Sequence, residues 1–572
     1  MLNVTILDGY VDEPTCLGVP PYISPYPRYI AGSVWDFDPK AVVSYLTIDQ
    51  VRNDKKNLEV LSKSNVVVVI AGMSVPGRYL SGFPLSPNEL PIFLQDISKP
   101  LKILYGPAAR HGFGMSGGKK TRDTSMVADF FDLIIKGDAE IVIDALLKNR
   151  LKSDEVDPDK VRKDASAIGD YSVKGAKIVQ QHPFYPDHLI TEIETYRGCP
   201  RYITGGCSFC SEPSKGSPDF RPTGDVVDEI QALYNNGIRH IRLGNQPCLF
   251  SYMAKGTGEL EFPRPNPDAI EKLFKGIRNV APELKTFHID NANPGVIARY
   301  PTESKKIAKT IIRYHTSGDV AAMGVESVDP SVIKKNNLKA SEEEVLSAIK
   351  LLNQVGSQKG SNGMPELLPG LNFVFGLDGE TRRTFDLDYM FLKKIMECGL
   401  LVRRINLRQV IPIPGTHMYN VGNRFVNRHK SLFKHFKNKV QREIMQPMLK
   451  IMLPEGTLLR DVFLEKHDGK LTLGRQMGSY PLLVGIPGKL ALGVFSDVRI
   501  VDYGFRSVTG VPSPLDVNTA SRETLEALPG LGSKRVIRIL RSRPFKNQEE
   551  FVDCLDDIKL ARELLDFIII SE

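Results

Sequence analysis

The chain has 572 residues, 42% of them hydrophobic, and a formal net charge of +8 with a pI near 8.9. That length allows three or four domains with ordinary cores, and 7 cysteines, most of them scattered, exclude a disulfide framework and point to a reducing cytoplasm. The start Met1-Leu-Asn-Val-Thr-Ile-Leu-Asp lacks the basic and apolar stretches of a secretion signal, and the longest apolar run, Val66 to Ala71, is too short to span a bilayer, so no membrane association is expected.

Residues 1–165 read as an α/β domain. Short apolar runs at Leu2 to Leu7, Val66 to Ala71, Leu101 to Tyr105 and Leu133 to Ile135 alternate with polar or helical stretches, the pattern of a doubly wound, Rossmann-like sheet. Within it, His111-Gly-Phe-Gly-Met-Ser-Gly-Gly-Lys-Lys has the look of an anion-binding glycine loop but matches neither the dinucleotide nor the Walker pattern; a loop or lid over the sheet is the plainer reading. The polar stretch from Lys148 to Asp187 leads onward, with a linker placed at 166–190.

The strongest chemical signal follows. Cys199, Cys207 and Cys210 lie just past a predicted strand, in Arg197-Gly-Cys-Pro-Arg-Tyr-Ile-Thr-Gly-Gly-Cys-Ser-Phe-Cys. Three thiolates on a 4Fe-4S cluster leave one iron open, whereas a structural zinc or an electron-transfer cluster fills all four positions. The arrangement resembles the radical S-adenosylmethionine (radical SAM) enzymes, whose signature has an aromatic residue, here Phe209, before the last cysteine. The family has three residues between the first two cysteines, and this chain has seven, Pro200 to Gly206; Gly205 and Gly206 can take positive φ and fold the excess back. A zinc knuckle, with Cys248 or a distant histidine as a further ligand, is the structural alternative.

Downstream, strand-then-helix units recur. Counting the strand before Cys199, the strand-and-loop stretches His240 to Pro247, Thr286 to Pro294, Val320 to Ser327, Leu371 to Thr381 and Ile405 to Thr416 make six and argue for a partial (βα)6 barrel over residues 191–420, with reacting groups at the carboxyl ends of its strands. The resemblance assigns S-adenosylmethionine contacts to strand-end residues: Gly244, Asn245 and Gln246 where the family often has Gly-Gly-Glu, then Asn293, Glu326, Ser327, Gly376 and Pro412. It also implies an external electron donor. The turn Asp132-Leu-Ile-Ile-Lys-Gly-Asp-Ala-Glu resembles the cobalamin-binding domain that precedes the barrel in one radical SAM class, which leaves cobalamin open as a further cofactor.

Past the barrel, residues 421–465 read as a basic helical segment whose phenylalanines interleave with Arg424, Arg428, Lys430, Lys434, Lys437, Lys439 and Arg442, either tracking a phosphate backbone or forming a solvated helix with Phe425, Phe433 and Phe436 packed inward. Residues 466–512 read as a small β-rich module and resemble the TRAM-type barrel of tRNA methylthiotransferases. Residues 513–572 carry a helix-hairpin-helix: Ser521 caps a helix with Leu525 and Leu528 on its apolar face, Pro529-Gly530-Leu531-Gly532 turns, and a second helix starts at once. Backbone amides at Gly530 and Gly532, with Lys534 and Arg535, form a candidate nucleic-acid phosphate site; packing or protein contact is the alternative.

The whole resembles a mostly archaeal group of radical SAM proteins with a carboxyl-terminal helix-hairpin-helix. It implies an enzyme that modifies a nucleic acid, RNA or tRNA foremost, by methylation, methylthiolation or a related transfer. Two alternatives stay open: a cobalamin-dependent enzyme of the same chemistry acting on a small molecule or lipid, and a non-catalytic nucleic-acid-binding metalloprotein.

Overall fold

The computed structural model describes residues 1–13, 16–17, 20–73, 80, 82–115 and 118–571; Ser116 and Gly117 of the glycine-rich loop lie outside the described residues. Five strands form one parallel sheet, in spatial order Leu133–Ile134, Leu101–Tyr105, Val66–Ile70, Asn3–Asp8, Val42–Thr47. Val66–Ile70 is β-branched throughout and buried along its length, as a strand covered on both faces requires.

Between Asp8 and Val42 the chain leaves this sheet. Tyr22–Ile23 pairs in parallel with Ile190–Glu194, and the helix Pro25–Phe37 packs on Gly169–Gly175. Contact is backbone to backbone: a Cβ on Gly32 would stand 1.9 Å from the Tyr171 carbonyl oxygen, and one on Gly175 1.8 Å from that of Arg28. The stretch read as a linker is thus packed protein.

Six βα units make the partial barrel. Ile190–Glu194, His240–Gly244 and Thr286–Ile289 form one parallel half-sheet, and Asn291–Ala292, Asp319–Glu326, Leu367–Phe375 and Arg404–Gln409 form the other. Asp290 joins them, its carbonyl accepting from Ala322 N at 3.0 Å. The outer edges, Tyr22–Ile23 and Arg404–Gln409, belong to different half-sheets and leave the barrel open.

A third unit fills that opening. Five strands, Leu458–Asp468, Leu471–Gln476, Leu483–Pro487, Phe495–Tyr503 and Ser507–Pro512, close into a small barrel. It starts at Leu458, inside the stretch read as helical; the charged, solvent-facing residues of Leu458–Asp468 masked the strand. Its connection inserts between the open edges. Tyr22 Oη donates to the carbonyls of Gly478 and Ser479, Ser479 N donates to His288 Nδ1 at 3.1 Å, and Tyr480 Oη donates to Asp290 Oδ1 at 2.5 Å. Asp290 also pairs with Arg242, which stands 3.7 Å from Glu192, so the barrel axis carries a compensated charge network.

The helical segment before the small barrel, Lys430–Val440 and Gln446–Met452, is joined by a π-helical turn, Gln441–Met445. Phe433 and Phe436 pack on Phe375 at ring separations of 5.2 and 5.0 Å, so these phenylalanines serve the core. At the carboxyl end, Ser521 Oγ accepts from Thr524 N at 3.2 Å to cap Arg522–Glu526, Leu525 and Leu528 are buried, and Ser533–Ser542 follows the turn. Thr524 Oγ1 donates to the Pro487 carbonyl at 2.9 Å, docking this unit on the small barrel. Among the described residues no helix is long and apolar enough to cross a membrane.

Arg242→Met is expected to cost about 3–5 kcal/mol in urea unfolding, because it strands a buried carboxylate. Adding Asp290→Asn, which removes that charge and still accepts from Tyr480, is expected to recover part of the loss.

Candidate functional site

The loop after Ile190–Glu194 carries the three cysteines. Cys199 begins a 3-10 turn, Pro200–Thr204, which Gly205 at φ 82° and Gly206 at φ 65° end, so the extra residues between Cys199 and Cys207 are wound into a compact turn. Asn337 pins it, Nδ2 donating to the carbonyls of Thr204 and Gly206 at 3.1 and 2.9 Å, and Ser208 N donates to the Asn336 carbonyl at 3.0 Å.

The sulfurs share one neighbourhood. Burial pushes the Cys199 thiol up to about 11 and Cys210 higher still, and the Cys207 sulfur adds to both. Cationic donors oppose this: Arg201 Nη1 donates to Cys207 Sγ at 3.1 Å, and Lys339, in the field of Cys207 and Cys210, pairs with Glu326 at 3.3 Å. Glu212 N donates to Cys210 Sγ at 3.4 Å. No group of three or more His, Cys, Asp or Glu among the described residues is arranged to hold a metal ion. A cubane does not ask for that arrangement, because each thiolate takes a different iron. Buried, mutually repelling thiols with donors aimed at their sulfurs fit such a cluster, whose cationic irons remove the penalty on the thiolates. Cys248 is engaged elsewhere, its sulfur accepting from Asn293 N at 3.2 Å.

A cavity of about 1650 Å³ opens beside Cys210 and Phe209, bounded by all three units. From the first sheet come Tyr105, Gly106 and His111; from the barrel Asn245, Asn291, Glu326 and Asn372; from the small barrel Tyr480 and Arg506. Burial raises the Glu326 carboxyl, with Lys339 opposing, and Glu326 sits at φ 67° beside a bulge that turns it into the cavity. Asn245, at φ 55°, donates through Nδ2 to Glu194 at 3.1 Å.

Other expected contacts point elsewhere. Gln246 is fully buried, accepting from Thr195 and donating to the Leu243 carbonyl. Asn293 caps a helix through Gly295 N at 2.9 Å. Ser327 donates to Asp388 at 3.1 Å and is buried. A Cβ on Gly244 would meet Glu192 Oε1 at 2.2 Å, and one on Gly376 would meet Val426 at 2.3 Å, so both are close-packing positions. Pro412 is buried between Ile411 and Ile413, which do line the cavity.

Asn291, Asn372, Asn406 and Arg408 face the cavity without having been singled out. For Asn406 and Arg408 the signal was alternation: with Arg404 they put a polar side chain at every second position of a barrel strand, where an apolar wall would otherwise stand.

The model for the radical SAM superfamily matches residues 193–392. An uncharacterized protein of Methanocaldococcus jannaschii is 49% identical over 88% of this chain and 92% of its own. Ribosomal protein uS12 methylthiotransferase RimO of Carboxydothermus hydrogenoformans is 25% identical over 33% of this chain and 38% of its own. Among solved structures, the radical S-adenosylmethionine methyltransferase TsrM from Kitasatospora setae, with cobalamin and a 4Fe-4S cluster bound, aligns with a TM-score of 0.48 at 14% identity, covering 73% of this chain and 74% of that one.

Changing Cys199, Cys207 or Cys210 singly to alanine is expected to reduce iron and sulfide in the reconstituted protein to traces, while Cys248→Ala retains both; elemental analysis reads the difference. Burial pushes Asp388 from 3.8 up to about 8, so the fold keeps its proton where the unfolded chain has released it. Its contribution to stability is complete below about pH 4 and is lost as pH rises through about 8. Urea unfolding at about pH 5 and about pH 8 is therefore expected to show a smaller loss for Asp388→Asn than for the wild type.

Proposed function

We propose, from the premise that this chain belongs to the radical SAM superfamily, that it is an enzyme modifying a nucleic acid, RNA such as tRNA foremost, by hydrogen abstraction followed by transfer of a methyl, methylthio or related group. A 4Fe-4S cluster held by the chain and reduced by an external donor would supply the electron for cleaving S-adenosylmethionine to methionine and a 5′-deoxyadenosyl radical. In this reading Cys199, Cys207 and Cys210 hold the cluster, with Arg201 and Lys339 stabilising its thiolates. Asn245, Asn291 and Glu326, beside Cys210 in the cavity, offer donors and acceptors for the amino, carboxylate and ribose groups of the cofactor. Walls from three units keep water from a reactive carbon radical.

One observation carries the choice of substrate: the hairpin is docked on the barrel that walls the cavity. Gly530, Gly532 and Lys534 are exposed there, and Gly530 takes φ 73° at the turn. Arg535 has a different task, pairing with Asp556 at 2.8 Å and donating to the Gly530 carbonyl at 2.9 Å, which holds the hairpin's shape. A phosphate backbone bound at those amides is positioned without base readout.

The cavity also supports a second reading. It reaches the carboxyl ends of the first sheet at Tyr105, Gly106, Pro107 and His111, the edge at which doubly wound sheets take ligands. A cobalamin there would make the transfer corrin-dependent and leave room for a small substrate.

Deleting the gene and comparing tRNA and rRNA nucleosides by mass spectrometry is expected to show loss of one modified nucleoside. An unchanged profile contradicts the RNA assignment. Bound cobalamin together with no salt-sensitive RNA binding favours the second reading.

A further inference from the structure

Among the described residues every fully buried arginine is paired with a carboxylate. Arg28 pairs with Glu229 at 2.7 Å, Arg201 with Glu261 at 2.8 Å, and Arg162, Arg221 and Arg242 each have a carboxylate partner. Arg403, Arg404 and Arg408, from one barrel strand and its approach, and Arg506, from the small barrel, line the same cavity, and among the described residues none of the four has a carboxylate within ion-pair distance.

Their surroundings make this costly. Burial lowers Arg403 and Arg404 to about 10, and each is lowered further by arginine neighbours: Arg404 and Arg506 act on Arg403, and Arg408 and Arg506 act on Arg404. Arg506 keeps much of its surface open at the cavity rim, yet enough protein surrounds it that burial, then Arg408, lowers it too. Arg403 donates through Nη2 to the Tyr480 carbonyl at 3.0 Å, while its buried Nε has no partner. The Arg404 guanidinium lies 4.3 Å from the centre of the Tyr480 ring. Tyr480 and, more weakly, Asp290 support the Arg404 charge against this lowering, but neither forms an ion pair with it, Asp290 being bonded to Tyr480 and paired with Arg242.

Four guanidiniums facing one cavity ask for an anion of more than one charge. A carboxylate, such as that of the cofactor's methionyl part, answers one of them; a phosphate monoester, at about −1.5 to −2, answers two and has the oxygens for bidentate contacts. Position adds a direction. Arg408 acts on Glu326, whose partner Lys339 lies in the field of Cys207 and Cys210, so the arginines extend from the cysteine end of the cavity toward the small barrel.

We propose that Arg403, Arg404, Arg408 and Arg506 form a phosphoryl-binding subsite that anchors a phosphate ester of the substrate with its reacting carbon toward Cys210. It rests on the reading of this cavity as the reaction chamber. It is independent of which molecule carries the phosphate, a nucleotide or a free phosphate ester.

Calorimetric titration of the reconstituted full chain with inorganic phosphate tests this without calling on radical chemistry, so a failure here and a failure to cleave S-adenosylmethionine are separate results. Saturable binding at one site is expected, weakened about tenfold or more in Arg404→Gln and in Arg506→Gln, with Arg404→Lys intermediate because it keeps charge and loses the fork. In the absence of phosphate, Arg404→Gln is expected to melt above the wild type, since it relieves repulsion; this readout also shows that the variant folds. Tighter binding of a 5′-phosphorylated trinucleotide than of ribose 5-phosphate identifies a nucleic-acid phosphate, the reverse order identifies a free ester, and both sustain the subsite. Absence of saturable phosphate binding by the wild type, or equal affinity in both glutamine variants, overturns it.

Discussion

A cluster binds thiolates, and buried thiols crowded together resist becoming thiolates. That conflict shapes the surroundings of Cys199, Cys207 and Cys210. Burial and mutual repulsion push Cys199 and Cys210 well above the ordinary thiol range. The opposing charges are brought from elsewhere in the chain: Arg201 from the turn between the cysteines, and Lys339 from the end of a later barrel unit. Such compensation works only if the donors cannot drift, and Asn336 through its carbonyl and Asn337 through its side-chain amide tie the cysteine loop to the Lys339 segment. Iron would complete what these cations begin, turning three unfavourable ionisations into ligation.

The barrel that presents this loop is incomplete, and its incompleteness creates the chamber. Closure falls to the small barrel, whose Gly478 to Tyr480 connection bonds to Tyr22, His288 and Asp290. The same insertion brings Arg506 opposite Arg404 and fixes Tyr480 between the compensated network at the barrel axis and the uncompensated arginines of the cavity. Arg242 and Arg475 line the same cavity and are paired, so the four arginines without a carboxylate partner stand apart from their neighbours. Tolerated repulsion of this kind is characteristic of sites that give up stability for a ligand.

Much of this was legible in the chain. The cysteine loop with the glycines that fold its long spacing, the order of six barrel strands and the parallel first sheet rest on local patterns, in which spacing and residue type determine conformation. Side-chain direction was less accessible. Gln246, Asn293 and Ser327 occupy the expected strand ends, yet each is taken up by a hydrogen bond within the protein: Gln246 with Leu243 and Thr195, Asn293 as a helix cap, and Ser327 with Asp388 of a later helix. Tyr22–Ile23 is too short to show a period, and its partner strand begins at Ile190. The arginine subsite joins a strand and a distant hairpin through the small barrel's insertion, and only its half on Arg404–Gln409 left a trace, as polar alternation.

The central claim is that three cysteines hold a 4Fe-4S cluster whose fourth iron stays open to S-adenosylmethionine. Electron paramagnetic resonance of the anaerobically reconstituted, reduced protein tests it most directly. The account requires a reduced-cluster signal that changes when S-adenosylmethionine is added. A protein that binds zinc in place of the cluster, or a cluster signal indifferent to S-adenosylmethionine, contradicts it.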